Sequence, residues 1–170
     1  MKTIKIRLSV DSIQNAIKEL RAYKKELQRK TNLLVARLAE EGCEYAKAYI
    51  IKTDAIYSGE LLSGLSFNTG HNYAVIEANS EHAIFVEFGT GPKGEAKQHP
   101  NNTIDYQYNV GPTINWYNVN GKMRYGWFYP DKMTGTVRFT EGMPSRPFMY
   151  ETSNYLRHEA LTKVIKEVFK

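Results

Sequence analysis

From Ile13 to Tyr49 apolar side chains recur in steps of three and four: Ile13, Ile17, Leu20, Leu27, Leu34, Leu38, Tyr45 and Tyr49. That period belongs to one face of an α-helix and commits a quarter of the chain to helix at about 12–52. Asp11 or Ser12 is the expected N-cap, because a short side-chain oxygen accepts from the free amides of a first turn. Lys24 and Thr31 break the stripe, and Gly42 is a second weak point, so the expectation is two helices or one bent helix rather than a coiled coil.

The residues before and after this helix alternate instead. Residues 3–8 read as a short strand by their period of two. Leu65–Phe67, Tyr73–Ala78 and Ala83–Phe88 read as three strands of an antiparallel meander, separated by turn-like Asn68–Asn72 and Asn79–Glu81. Residues 89–146 change character: they hold 8 of the 12 glycines and 5 of the 6 prolines. A hairpin is expected there, with Lys122–Tyr129 and Thr136–Thr140 as its strands, and long loop elsewhere, chiefly over 91–121. Tyr106, Tyr108, Trp116, Tyr117, Trp127, Phe128 and Tyr129 argue against full disorder in this region. A last helix opens at Pro147, where no amide donor is needed. Its stripe, Leu156, Ala160, Val164 and Val168 with Leu161, Ile165 and Phe169 beside it, is expected to lie on the sheet. The fold class is therefore α+β: one domain over 1–170, with N-terminal and C-terminal helices packed on an antiparallel sheet, and a variable loop or hairpin insertion over about 91–141.

Charge and chemistry narrow the function classes. The net charge of +5 lies wholly at the N-terminal end: residues 1–52 carry 12 Lys/Arg against 6 Asp/Glu. Such a balance fits a solvated helix face, or a surface facing an acidic partner or nucleic acid. The single cysteine, Cys43, rules out an intramolecular disulfide and any multi-thiolate metal site. No apolar run approaches the length of a membrane span, and residues 1–8 do not read as a signal peptide, so a soluble protein made in the cytoplasm is expected. His71, His82, His99 and His158 are scattered without metal-ligand spacing and read as surface or turn residues. Gly89-Thr90-Gly91-Pro92-Lys93-Gly94 matches the dinucleotide pattern formally. A nucleotide site also needs a helix opening there within a βαβ unit, and the residues after it do not read as helix. No serine lies in a nucleophile-elbow context. No catalytic residue, cofactor or metal is expected.

Three segments carry more. They are Ser58-Gly59-Glu60-Leu61-Leu62-Ser63, Ala83-Ile84-Phe85-Val86-Glu87-Phe88-Gly89-Thr90-Gly91 and Gly142-Met143-Pro144-Ser145-Arg146-Pro147-Phe148-Met149. In this order and spacing they resemble the tail-completion, or head–tail connector, proteins of long-tailed bacteriophages. The resemblance spans about residues 10–169, departs at His82 where the family has Tyr, and is weakest over 91–141. It implies a structural virion protein of the neck that is not an enzyme. Such a protein is made in the bacterial host and forms a ring, expected to be hexameric, that completes the tail and joins it to the head. It implies as partners the chain itself, a neighbouring head-closure or adaptor protein and the tail tube protein. DNA would pass through the lumen without sequence recognition, and no membrane is involved. A minor capsid or head-closure protein is the alternative, with a nucleic-acid binder or hydrolase further off. Glu87, Phe88, Gly89, Thr90, Gly91, Arg146, Pro147 and Phe148 are the candidate structural and interface residues. A Glu87–Arg146 ion pair is expected to pin the base of the loop, with Phe85 and Phe148 filling the core beneath.

Overall fold

A computed structural model describes residues 7, 9–55, 59–101, 106–107, 114–131 and 133–170. The strand expected over 3–8 and Ser58 of the first motif fall outside the described residues, apart from Arg7.

The N-terminal helix is uninterrupted: α1 runs Val10–Lys52, and Ser9, not Asp11 or Ser12, caps it, its side chain accepting from the Ser12 amide. The division into two helices is thus not found. Lys24 does not break it because its stretch is solvent-exposed, and there good helix formers and the i,i+3 pair Glu26–Arg29 decide; Thr31 is half-buried and its hydroxyl donates to the Leu27 carbonyl within the helix. Two further such pairs, Arg37–Glu40 and Glu44–Lys47, follow. The apolar stripe divides in two. Its first half, Ile13, Ile17, Leu20 and Leu27, is exposed; its second half, Leu34, Leu38, Tyr45 and Tyr49, is half-buried and borders the packed face, where Ala39, Cys43, Ala46 and Ile50 are buried. Gly42 is a site of close approach rather than a weak point, since a β-carbon there would press on Ile76 and Leu156.

A short turn of helix, α2 (Glu60–Ser63), leads into an antiparallel hairpin of β1 (Leu65–Thr69) and β2 (Ala74–Ala78), with Leu65 opposite Ala78. Both strands lie against α1. The third strand of the expected meander is instead a helix, α3 (Ala83–Phe88). Its amides close helical bonds, Val86 to the His82 carbonyl and Gly89 to that of Phe85, and the Ser80 carbonyl and hydroxyl receive the entering amides of Ala83 and His82. The physical reason is that the adjacent residues Val86 and Glu87 are both buried. A strand would send them to opposite faces; one turn of helix holds both inward.

The stretch expected to be loop carries more structure than its composition suggests. The short helix α4 (Gly91–Ala96) follows α3, and β3 (Asn115–Val119), β4 (Lys122–Asp131) and β5 (Thr136–Thr140) form a second antiparallel sheet in the order β3-β4-β5. The β4–β5 hairpin is the expected one. β4 pairs with β3 through Lys122–Gly126 and with β5 through Trp127–Asp131. So a helix does open inside the Gly-rich motif, yet it follows a helix and not a strand, and the βαβ setting is missing.

The chain closes with α5 (Phe148–Tyr155), a π-helical turn over Leu156–Ala160, and α6 (Leu161–Val168). These helices lie along α1 rather than on a sheet. Tyr155 stacks on Tyr45 with ring centroids 4.2 Å apart, and both Tyr155 and Lys163 donate to the Glu41 carboxylate, at 3.1 and 2.6 Å. Ala160 and Val164 are buried as the stripe predicts, whereas Leu161, Ile165 and Phe169 stay partly exposed. The core gathers Cys43, Ala46, Ile50, Ala55, Leu61, Leu65, Val86 and Phe148 where α1, β1, α3 and α5 converge.

Candidate structural site: a buried carboxylate linking two motifs

The amides that open any helix have no partner within it, and the usual remedy is a side chain just before the first turn. α5 lacks that remedy, because Pro147 occupies the N-cap position and has no side-chain acceptor. Its partner arrives from α3, some sixty residues earlier. The Glu87 carboxylate accepts the Met149 amide at 2.8 Å and the Tyr150 amide at 3.0 Å. A carboxylate at the positive end of a helix dipole is favoured twice, by charge and by hydrogen bonding.

A third donor completes the arrangement. His99 lies 3.1 Å from Glu87 through Nε2, and both side chains are buried. The Asn101 amide donates to His99 Nδ1 at 3.0 Å, so Nδ1 serves as an acceptor and Nε2 carries the proton that Glu87 receives. The imidazole is held between Phe88, Tyr150 and the Phe88–Tyr106 stack, and the Tyr106 hydroxyl donates to the Gly89 carbonyl.

Around this carboxylate the two longer resemblance segments interlock by backbone. The Arg146 amide donates to the Val86 carbonyl, the Ser145 hydroxyl to the Glu87 carbonyl at 2.6 Å, and Thr90 and Met143 exchange amide bonds in an isolated antiparallel bridge. Gly89, Gly91 and Gly142 all have positive φ, +84°, +59° and +84°. A β-carbon on Gly89 would meet the Ser145 nitrogen, and one on Gly142 the Thr90 carbonyl. The glycines are therefore required both by conformation and by the closeness of two backbones.

The expected Glu87–Arg146 pair is not formed. Glu87 spends its oxygens on two amides and His99. The Arg146 side chain instead borders a cavity of about 550 Å³ between the β4–β5 hairpin and the helical body, lined mainly by apolar groups including Ile50, Val86, Trp127, Tyr129 and Met143. Phe148 fills the core at 1% exposure, whereas Phe85 borders the cavity. Thr90 and Pro147 are buried and Phe88 is half-buried, so the other candidate residues gather in one place. His99 is the residue that sequence reasoning missed: it reads as a turn histidine, and no local signal pairs it with Glu87.

Among the described residues no group of three or more His, Cys, Asp or Glu is placed to hold a metal ion, and no helix is long and apolar enough to cross a membrane. Comparison with protein-family models, with curated proteins and with solved structures finds no match to this chain.

Proposed function

We propose that this chain is a structural subunit of a tailed-bacteriophage neck, acting in a ring that completes the tail and joins it to the head. What carries the reading is the presence in one order of the three resemblance segments, together with the meeting of the two longer ones. Glu87 of the first segment caps the helix that Phe148 and Met149 of the second begin. Their residue choices then follow from one piece of architecture: a carboxylate for the helix end, glycines for backbone contact, proline where no amide is needed.

The Glu87–His99 pair has the composition of a general base and its orienting partner. Its donors and acceptors are spent on amides of the fold, which supports an architectural role over a catalytic one. Surfaces suited to assembly are also at hand. Tyr117, Phe128 and Phe139 form a ring cluster on the second sheet with the Arg124 guanidinium 5.2 Å above Phe139. Trp116 and Met123 on the opposite face of the sheet, Met133 in the β4–β5 turn and Val137 on the face of the ring cluster are each more than half exposed. Ring closure needs two different complementary patches per subunit, and the face of the ring cluster serves as one of them.

The test is electron microscopy of an induced lysate carrying an early stop codon in this gene. DNA-filled heads beside separate, finished tails are expected. Heads that fail to retain DNA would favour the head-closure alternative, and normal infectious particles would overturn both.

A further inference from the structure

The N-terminal half of α1 has an apolar face that the other described residues leave exposed. The helix reaches the C-terminal helices at Lys30, whose ammonium donates to the Lys170 carbonyl and sits 5.6 Å above the Phe169 ring. From Val10 to Arg29 every residue is exposed except Ser12 and Ala16. Within that stretch Val10, Ile13, Ile17, Leu20 and Leu27 follow alternating steps of three and four, with Lys24 in the one remaining seam position. These are the a and d positions of a heptad, and the five apolar ones are between 43% and 71% exposed.

We infer that in the free protein this face is covered by the same face of a second copy, in an antiparallel pair about a two-fold axis between Ile17 and Leu20. This concerns the chain before assembly and does not rest on the neck reading. Two observations select the occupant and its direction. The first is charge. Residues 10–19 carry Asp11 and Glu19 against Lys18, a balance of −1; residues 21–30 carry Arg21, Lys24, Lys25, Arg29 and Lys30 against Glu26, a balance of +4. A parallel pair sets +4 against +4, whereas an antiparallel pair sets each basic half against its partner's acidic half. The second is the symmetry of the seam. About a point between Ile17 and Leu20, Ile17 faces Leu20 of the other copy, Val10 faces Leu27, and Ile13 faces Lys24. Lys24 extends its stem along the edge with its ammonium in water.

The area is sufficient. With Tyr23, the exposed seam side chains present on the order of 600 Å² on each copy, so a pair would bury roughly the 1,200 Å² total at which specific interfaces begin. An isologous contact also closes on itself, so it holds the free chain at two copies and cannot propagate into a ring.

The full chain would be examined by light scattering and sedimentation at high micromolar concentration. A dimer is expected. Leu20→Asp should convert it to monomer with little change in helix content, because residue 20 lies on a solvent-exposed stretch of α1, and should remove the concentration dependence of the unfolding midpoint that a dimer shows. Direction is read by cysteine pairing, with buried Cys43 out of reach. A mixture of Val10→Cys and Leu27→Cys chains should form the mixed disulfide, whereas Val10→Cys alone should not, its two copies lying about 26 Å apart along the axis. A monomeric wild type, a dimer indifferent to Leu20→Asp, a larger oligomer that Leu20→Asp dissolves, or ready cross-linking of Val10→Cys with itself would each overturn the proposal.

Discussion

Replacing Glu87 by alanine tests the central claim about this fold, that one carboxylate holds the last helix onto α3. The substitution removes the acceptor of three donors at once: the amides of Met149 and Tyr150 and Nε2 of His99. Leaving a buried donor unpaired costs about 1–3 kcal/mol. The two amides belong to half-buried residues, which water reaches in part, so about 1 kcal/mol each is appropriate. His99 is fully enclosed and takes a larger share, about 2 kcal/mol. The sum is about 4 kcal/mol. It is a large part of the roughly 5–15 kcal/mol that holds an ordinary domain together. His99→Phe keeps a ring between Phe88 and Tyr150 but deletes the polar contact, and should cost about 1–3 kcal/mol. In the double variant the two losses should fall short of additivity by about 1 kcal/mol, since both remove the same contact. Urea unfolding followed by far-UV circular dichroism and by the fluorescence of Trp116 and Trp127 measures all four proteins. A loss below about 1 kcal/mol for Glu87→Ala, or strict additivity with His99→Phe, would refute the reasoning.

Other outcomes follow from single contacts. Gly142→Ala should destabilise by about 2–4 kcal/mol, because its β-carbon would overlap the Thr90 carbonyl on top of an unfavourable φ; Gly121→Ala, also at positive φ but in open space, should cost only about 1 kcal/mol, and equal losses in thermal unfolding would contradict this. Phe148→Ala should cost about 3–5 kcal/mol by opening a cavity in the core, read from the urea midpoint; a loss near that of an exposed residue would count against its placement. The Lys163 ammonium, helped by the Tyr155 hydroxyl, holds the Glu41 carboxyl below its ordinary value of 4.5. A depressed carboxyl contributes stability that is complete above its unfolded value and is lost as pH falls through the folded one. The melting temperature of Glu41→Gln should therefore fall less than that of wild type on acidification below about pH 4.5, and parallel curves would argue against the contact.

Much of the secondary structure was legible because its signals are local. The β1–β2 hairpin lies where alternation and turn residues place it, the β4–β5 hairpin follows the Pro130–Gly135 turn chemistry, and the terminal helices show in a 3.6-residue period sustained over many turns. Those features also fix the α+β class. Where local signals are short, they fail. Ala83–Phe88 spans six residues, too few for its period to separate strand from helix, and its β-branched and aromatic content points the wrong way. What decides it is the need to bury Val86 and Glu87 together.

The apolar stripe of α1 carries the same lesson at greater length. Its period announces a helix from end to end. Which half is covered is decided by the C-terminal helices, which meet α1 as far as Lys30. The landing of α5 and α6 on α1 rather than on a sheet, and the close contact at Gly42, likewise depend on partners remote in sequence.

The same division holds at the site. The sequence by itself determined that Glu87, Gly89, Gly91, Arg146, Pro147 and Phe148 belong together as motif residues, and that glycine and proline there serve the backbone. Only the tertiary structure decided who meets whom. A Glu–Arg pair is the natural expectation from opposite charges, but Glu87 lies at the open end of a helix whose capping position is a proline, and the two amides of Met149 and Tyr150 are a stronger claim on a buried carboxylate than a guanidinium that can remain at a cavity wall. His99 joins because burial leaves its Nε2 proton no other acceptor, and that is a fact of packing, which no spacing in the chain records.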